Sequence, residues 1–479
     1  MSLMNHKIVV KILGKLIQLE GIFLLLPAIA GVLFQEKETL VLAITAVASI
    51  FIGGLLQIVK VNNNRIRAKE GFVITAITWM VYSIIGAIPF FVSGAIPSIT
   101  DAVFETASGF TTTGASILLN VEAMPNCLLL WRSFTHWIGG MGILVFMLAF
   151  VPSGADEMNI LKAESPGPSV EKMVPKVKET AFTLYAIYTA MTLTLIIALV
   201  IAGMPIFDSI CHAFGTAGTG GFGVRGDSIG GYSSACQNII TIGMVMFGAN
   251  FNVYYLIIMR KFKSVLHSEE VITYLAIFFI ASILVTMGTY SGNLGNAFHH
   301  SAFQVASIMT TTGFATVDFG TWNNMPKGIL VLVMFIGACA GSTGGGVKVS
   351  RLILYFKQVK RELQSFIHPS SVKSIRLDGK VVNKETIRIA NVFLMAYVMV
   401  FVASFLIVSL DEFDLITTFT SVAATLNNIG PGLGAVGPSG NFAAYSNPSK
   451  WVLIFDMIAG RLEIFPVLIA FSIGTWRKK

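Results

Sequence analysis

Four stretches decide how this chain is built: FETASGFTTTG (104–114), CHAFGTAGTGG (211–221), FQVASIMTTTG (303–313) and TSVAATLNNIG (420–430). Each starts as a short run of apolar and small residues, turns to hydroxyl, amide or glycine residues, and closes on Gly114, Gly221, Gly313 or Gly430. Long apolar stretches flank every one, so the repeating pattern is helix, half-buried loop, helix. The closing glycines stand 107, 92 and 117 residues apart, periods longer than those of solenoid repeats. Two crossings per unit keep all four units in one orientation, which puts a fourfold pseudo-symmetry axis along the membrane normal. Inverted repeats would instead place equivalent sites on opposite sides.

The rest of the chain supports this. Of 479 residues, 54% are hydrophobic and 12% charged, against about 25% charged in soluble domains. Ten segments approach the ~20 apolar residues of a spanning helix: 10–33, 38–59, 70–94, 127–151, 180–203, 237–259, 270–290, 327–356 (interrupted), 388–410 and 450–474. The alternation of barrel strands is absent and open sheets cannot cross lipid, so the expected fold is an all-α integral membrane protein. A transmembrane hairpin (1–60) precedes four pore repeats, 61–155, 170–265, 266–368 and 383–479.

The net charge of +8 is a topology signal rather than a nucleic-acid footprint. Assigning loops alternately to two sides gathers 27 of the 33 Lys and Arg on one of them; Lys37, Arg132, Arg225, Lys327, Lys450 and Arg461 remain. Positive loops stay cytoplasmic, so both termini are expected inside and the glycine segments outside. Residues 21–34 with Ala28-Ile29-Ala30 imitate a signal peptide, but Lys11, Lys15 and Glu20 fit a helix entering the membrane better. Cys127, Cys211, Cys236 and Cys339 have no metal spacing and read as lone apolar thiols, with a disulfide among the first three, near the outer face, as the alternative.

Segments 99–113, 206–219, 295–312 and 412–428 are too short and too polar to cross. Asp101 and Asp208, each 13 residues before its glycine, are expected to cap short helices dipping in from outside. Asp414, 16 residues before Gly430, implies a fourth helix about a turn longer; His300 stands at the matching place in the third. Such a helix points its negative end at the axis, favouring a cation there, and non-helical backbone at that depth must line a wet cavity. Dehydrated K⁺ needs oxygen ligands, which backbone carbonyls supply without fixed charge. Aligning them requires alternating conformations, one left-handed, which glycine adopts freely. The candidate filter is therefore Thr112, Thr113, Gly114; Thr219, Gly220, Gly221; Thr311, Thr312, Gly313; and Asn428, Ile429, Gly430. No acid stands among them, which argues against a divalent-cation ring. The competing reading is small residues packing helices closely.

Two further features lie in the apolar spans. GACAGSTGGGVK (337–348) interrupts the eighth with Gly337, Gly341, Gly344, Gly345 and Gly346 around Ser342 and Thr343. It reads as a flexible intramembrane loop, with a passive kink as the alternative; a nucleotide loop is not matched. Arg461, in FDMIAGRLEIFP, falls near mid-membrane, where an arginine faces water or a partner, Asp456 being one candidate. His136 reads as a hydrogen bond between helices, Glu20 and Glu105 as acids without paired partners, and Trp131, Trp322, Trp451 and Trp476 as interfacial belts.

TTTGAS, TGGFGV, TTTGFAT and NNIGPG resemble the filter loops of bacterial Trk-type potassium uptake proteins (TrkH/TrkG), in the superfamily that includes KtrB and the fungal Trk transporters. The resemblance covers essentially the whole chain, and the leading hairpin is similar to TrkH rather than to the shorter KtrB. It implies K⁺ uptake across the bacterial inner membrane through one pore, with K⁺ as the transported ion, no cofactor and no enzymatic activity. It also implies that loop 337–348 is a gate beneath the filter, that Arg461 faces the pore, and that the chain forms a homodimer regulated by a cytosolic nucleotide-binding TrkA ring. The fourth loop departs most, with Asn427-Asn428-Ile429 and Pro431, implying looser selectivity than in tetrameric channels. Symport of K⁺ with H⁺ or Na⁺ is the alternative transport mode, and a membrane scaffold or receptor the rival from another class. The cytoplasmic stretches are 152–179 and the basic 357–388; the latter is either a face near anionic lipid or a docking site for that ring.

Overall fold

The computed structural model describes residues 4–61, 66–143, 177–369 and 373–476. The chain opens with an antiparallel pair, α1 (His6–Phe34) and α2 (Thr39–Gln57). They approach closely at Gly21, where a Cβ would meet Ala46 O at 2.7 Å, the small-residue contact expected of helices packed in lipid.

Four sets follow, each a long helix, a short helix, a loop and a second helix. The first is α3 (Ala68–Val92), α4 (Ile99–Phe110) and α5 (Asn126–Met141). The second is α6 (Val177–Ile201), α7 (Ile206–Gly218), α8 (Ser234–Phe247) and α9 (Phe251–Ile258), followed by the short α10 (Phe262–Leu266). The third is α11 (Glu269–Thr289), α12 (Leu294–Met309), α13 (Asn324–Ile336) and α14 (Val349–Ile367). The fourth is α15 (Lys384–Val408), α16 (Leu415–Leu426), α17 (Asn447–Arg461), α18 (Phe465–Phe471) and α19 (Ile473–Trp476). The fold is nearly all-helical: Arg376–Leu377 pairs antiparallel with Lys380–Val381, a small hairpin that the all-α expectation did not include.

Among the described residues, six helices (α1, α2, α3, α6, α11 and α15) are long and apolar enough to cross a membrane, and α8 with α9 makes a seventh if that pair, bent by 91°, is one span. The protein is a multi-pass membrane protein. The second helix of every set stops partway. Met141 is followed by Gly142 at φ 88°, Ile336 by Gly337 at φ 74°, and Arg461 by Glu463 and Ile464 at φ 54° and 69°. Of these breaks the sequence marks only 337–348. Most of the expected cytoplasmic stretch 152–179 lies outside the described residues.

The short helices α4, α7, α12 and α16 contain 12, 13, 16 and 12 residues. At 1.5 Å per residue that is roughly 18–24 Å, short of a ~30 Å hydrocarbon core. The expected caps need correction. Ser98 caps α4 by accepting from Asp101 N, while Asp101 itself pairs with Lys450 at 2.6 Å. Helix α7 starts after Pro205, and Asp208 accepts from the Tyr232 hydroxyl at 2.7 Å. Asp414 does cap α16, at 3.1 Å from Thr417 N, but Ser98, Pro205 and Asp414 all stand 16 residues before their glycines. The helix a turn longer is α12, capped by Asn293, 20 residues before Gly313. Trp131 is also no belt residue: it is buried, and its indole N–H donates to Gly86 O at 3.1 Å.

Candidate functional site

Each short helix ends in the same turn. The N–H groups of Thr113, Gly220, Thr312 and Ile429 reach back to the carbonyls of Ser108, Gly215, Ser307 and Ala424 at 2.8–2.9 Å, the six-to-one bond of a Schellman motif. The turn requires a left-handed residue, and Thr112, Thr219, Thr311 and Asn428 take it at φ 55–58°. Asparagine tolerates this region; a β-branched threonine is strained there. Two residues later comes the closing glycine, with φ 78° at Gly114, 77° at Gly221, 86° at Gly313 and 95° at Gly430. All four candidate segments thus share one backbone path, left-handed at both ends and not between.

The four turns close on one another. A Cβ on Gly114 would strike Gly220 O, one on Gly221 would strike Thr312 O, one on Gly313 would strike Ile429 O, and one on Gly430 would lie 2.7 Å from Thr113 O. Each glycine therefore abuts the carbonyl that precedes the next glycine, and the fourth returns to the first. The result is a ring edged by the carbonyls of Thr113, Gly220, Thr312 and Ile429.

Side chains behind the ring hold it. The Asn428 amide donates to Thr113 Oγ1 at 2.9 Å and to Met457 O at 2.8 Å, joining the fourth turn to the first. His136 bridges the first and second: its Nδ1 lies 2.7 Å from Gly109 O, and its Nε2 accepts from Phe222 N–H at 3.3 Å. Between second and third, Ile229 N–H donates to Ala315 O at 3.0 Å and Ala315 N–H to Ser228 Oγ at 3.2 Å. Glu105 is not the partnerless acid expected. It pairs with Arg132 at 2.6 Å and accepts from Ile117 N and Ser116 Oγ. Arg132 in turn donates to Gly223 O at 3.0 Å and stacks 3.5 Å from the Phe222 ring.

On one side of the ring lies the 337–348 loop. It leaves and rejoins the helix axis at nearly one point, since Lys348 N–H donates to Ile336 O at 3.0 Å. It touches the third turn of the ring at Gly345, whose N–H donates to Thr311 Oγ1 at 2.6 Å. A Cβ on Gly344 would lie 2.8 Å from Thr310 O. Gly337, Gly341 and Gly346 have φ of 74°, 69° and 78°, and Ser342 Oγ closes the turn onto Cys339 O at 2.7 Å. Thr343 Oγ1 donates to Phe247 O at 3.1 Å, at the bend between α8 and α9.

Arg461 joins this loop to the first set. Its guanidinium donates to Thr343 O at 2.6 Å, Gly139 O at 2.5 Å and Gly140 O at 2.6 Å. Asp456, the partner considered for it, accepts instead from Ser404 at 2.6 Å. Glu463 binds Arg351 at the start of α14. The four cysteines are free and buried, and no cluster of three metal-ligating side chains occurs among the described residues.

Comparison with known proteins agrees with this architecture. The family model described as TrkH, cation transport protein, matches residues 39–287 and 271–476. The Trk system potassium uptake protein TrkH of Salmonella typhimurium is 36% identical over 99% of this chain and all of its own length. TrkG of Escherichia coli K12 is 33% identical over the full length of both. The crystal structure of the potassium transporter TrkH from Vibrio parahaemolyticus superposes with a TM-score of 0.86, at 32% identity, over 99% of this chain and all of that one. The chain therefore belongs to the TrkH family of cation transport proteins, a transport family and not one of enzymes.

Proposed function

We propose that this chain carries K⁺ inward across the bacterial inner membrane, dehydrated, through the ring formed at Gly114, Gly221, Gly313 and Gly430. The closed circuit of glycine against neighbouring carbonyl carries the reading. It sets four backbone oxygens around one axis with no carboxylate among them, the chemistry that replaces water around a monovalent cation. The relatives, named for potassium uptake, point the same way.

In this reading the hairpin 1–60 and the repeats 61–155, 170–265, 266–368 and 383–479 supply ten crossings, and α4, α7, α12 and α16 are re-entrant. The one-sided distribution of Lys and Arg supports cytoplasmic termini. Loop 337–348 is the gate, held shut by Arg461, whose charge also opposes cations below the ring. The partner is a TrkA-type cytosolic ring, for which the basic stretch 357–388 is the docking face, and the chain works as a homodimer. Membrane voltage supplies roughly 2.3 kcal/mol per charge per 100 mV, so no reaction at the chain is needed.

The test is K⁺ flux into proteoliposomes under an imposed potential, with a pH-sensitive dye inside. Uptake without Na⁺ and without proton movement is expected. Stoichiometric movement of H⁺, or dependence on Na⁺, would replace conduction with symport.

A further inference from the structure

One carboxylate outside the 337–348 loop holds both of its limbs. Glu270, in the first turn of α11 and 5% exposed, accepts from Ala340 N–H at 2.6 Å, within the loop, and from Ser350 N–H at 3.2 Å, just beyond it. Its third donor is the Asn250 amide at 3.4 Å, at the α8–α9 bend, where Phe251 N–H also reaches Gly341 O at 3.0 Å. A carboxylate is suited to this because charge-assisted bonds to backbone N–H groups are about twice as strong as neutral ones. They strengthen further away from water. A loop with five glycines loses much backbone entropy on ordering, so it needs such a tie to keep one shape.

The neighbouring residue faces the other way. Glu269 pairs with Lys357 on α14, and its backbone N–H, one of those left without an intrahelical acceptor at a helix start, is taken by Asp378 Oδ1 at 2.7 Å. Asp378 sits in the turn of the 376–381 hairpin, 109 residues away in sequence. The start of α11 is thus tied to the loop on one side and, on the other, to the hairpin within the basic stretch of the chain.

We propose that Glu270 is the latch that keeps the loop closed, and that the start of α11 is the junction through which movement of the 376–381 hairpin reaches it. The proposal rests on reading the loop as the gate. Glu270 acts through the loop's backbone and touches no ion, which makes it a positioning residue.

Single-channel recording of the full chain in planar bilayers tests this with three variants. Glu270→Gln keeps the shape but turns an amide N–H toward one of the donors; an open probability about tenfold higher is expected, with the K⁺/Na⁺ permeability ratio unchanged. Asp378→Gly removes only the acceptor, because glycine takes the φ of 50° there freely, and a rise of about threefold is expected. A folded Glu270→Gln protein with unchanged or lower open probability, or with a changed permeability ratio, overturns the latch. If that variant does not fold, Asp378→Gly decides: a rise supports the junction and no change overturns it. Gly313→Ser separates the two ideas, since unchanged ion preference there strikes the ring and leaves the latch to be judged on open probability.

Discussion

Gly313→Ala is the sharpest test of the ring. The residue has φ 86°, a region where a side chain costs about 1–2 kcal/mol. The added methyl would overlap Ile429 O and lie 2.9 Å from Pro431 Cδ. Neither neighbour is the end of a flexible side chain, so the methyl is accommodated only by moving the Ile429 carbonyl, one of the four ring oxygens. If that displacement removes 1.4 kcal/mol of preference for K⁺ over Na⁺, discrimination falls tenfold. In bi-ionic recording, with K⁺ on one side and Na⁺ on the other, a tenfold loss moves the reversal potential by about 59 mV. Gly54→Ala is the control. Nothing lies within 4 Å of a Cβ there, on α2, so that substitution should stabilise the helix by about 1 kcal/mol and leave the potential unmoved. A folded Gly313→Ala protein with the wild-type reversal potential would refute the argument, as would an equal shift in the control.

Other expectations follow from the same contacts. Arg461→Ala removes the ties to Thr343, Gly139 and Gly140 together with a positive charge, so single-channel conductance should rise; an unchanged current amplitude would leave Arg461 a purely structural role. Glu105→Ala or Arg132→Ala alone leaves a buried charge without its partner, a loss of about 3–5 kcal/mol readable as a lower unfolding temperature in detergent. The double change Glu105→Leu with Arg132→Met should cost much less than the two single losses together. The Gly226 N–H bond to Glu122 holds that carboxyl below its usual range. A lowered folded pKa means that the contribution exists above the unfolded value and fades as pH falls through the folded one. Glu122→Ala should therefore lower the unfolding temperature slightly at pH 7, by an amount that shrinks as the pH is taken down through the acid range.

How much of this was legible in the sequence depends on how local the cause is. The turns were legible because a glycine after a short polar run has few other uses at membrane depth, and the positions read as candidate filter are the ones that share a backbone path and meet in the ring. The breaks in α8–α9 and α17–α18 were not. Gly248 and Asn250 are unremarkable in an apolar run, and Ile464 at φ 69° is held by packing and by Glu463's pairing with Arg351, 112 residues distant. Hydropathy averages across such a kink. The caps misled because aspartate suits both an N-cap and a first-turn position, and only the fold shows that Ser98 takes the first role while Asp101 turns to Lys450. Glu105 and Arg132, 27 residues apart, carry no sequence mark of their pairing.

The ring is fourfold in its backbone and not in its side chains, and that division has a physical reason. Nine residues before the glycines stand Glu105, His212, Gln304 and Ser421, all buried behind the turns and all different. Glu105 grips Ile117 N and Arg132, Gln304 donates to Val317 O at 3.2 Å, and Ser421 donates to Thr418 O at 2.9 Å. Ligation by carbonyls needs only equivalent main-chain paths, which four dissimilar sequences can supply through the same left-handed turn. The side chains are then free to differ, so a single chain can give one quarter a buried ion pair, another the Asn428 link, and a third the inserted loop on which Arg461 and Glu270 act. Four identical subunits could not vary one quarter without varying all. The 337–348 loop is such a one-quarter feature: it comes from the third set, lies against the second at Phe247 and receives Arg461 from the fourth. Substitutions at the turn glycines should therefore alter ion preference in all four sets, whereas substitutions that alter opening should cluster around the third-set loop and its ties.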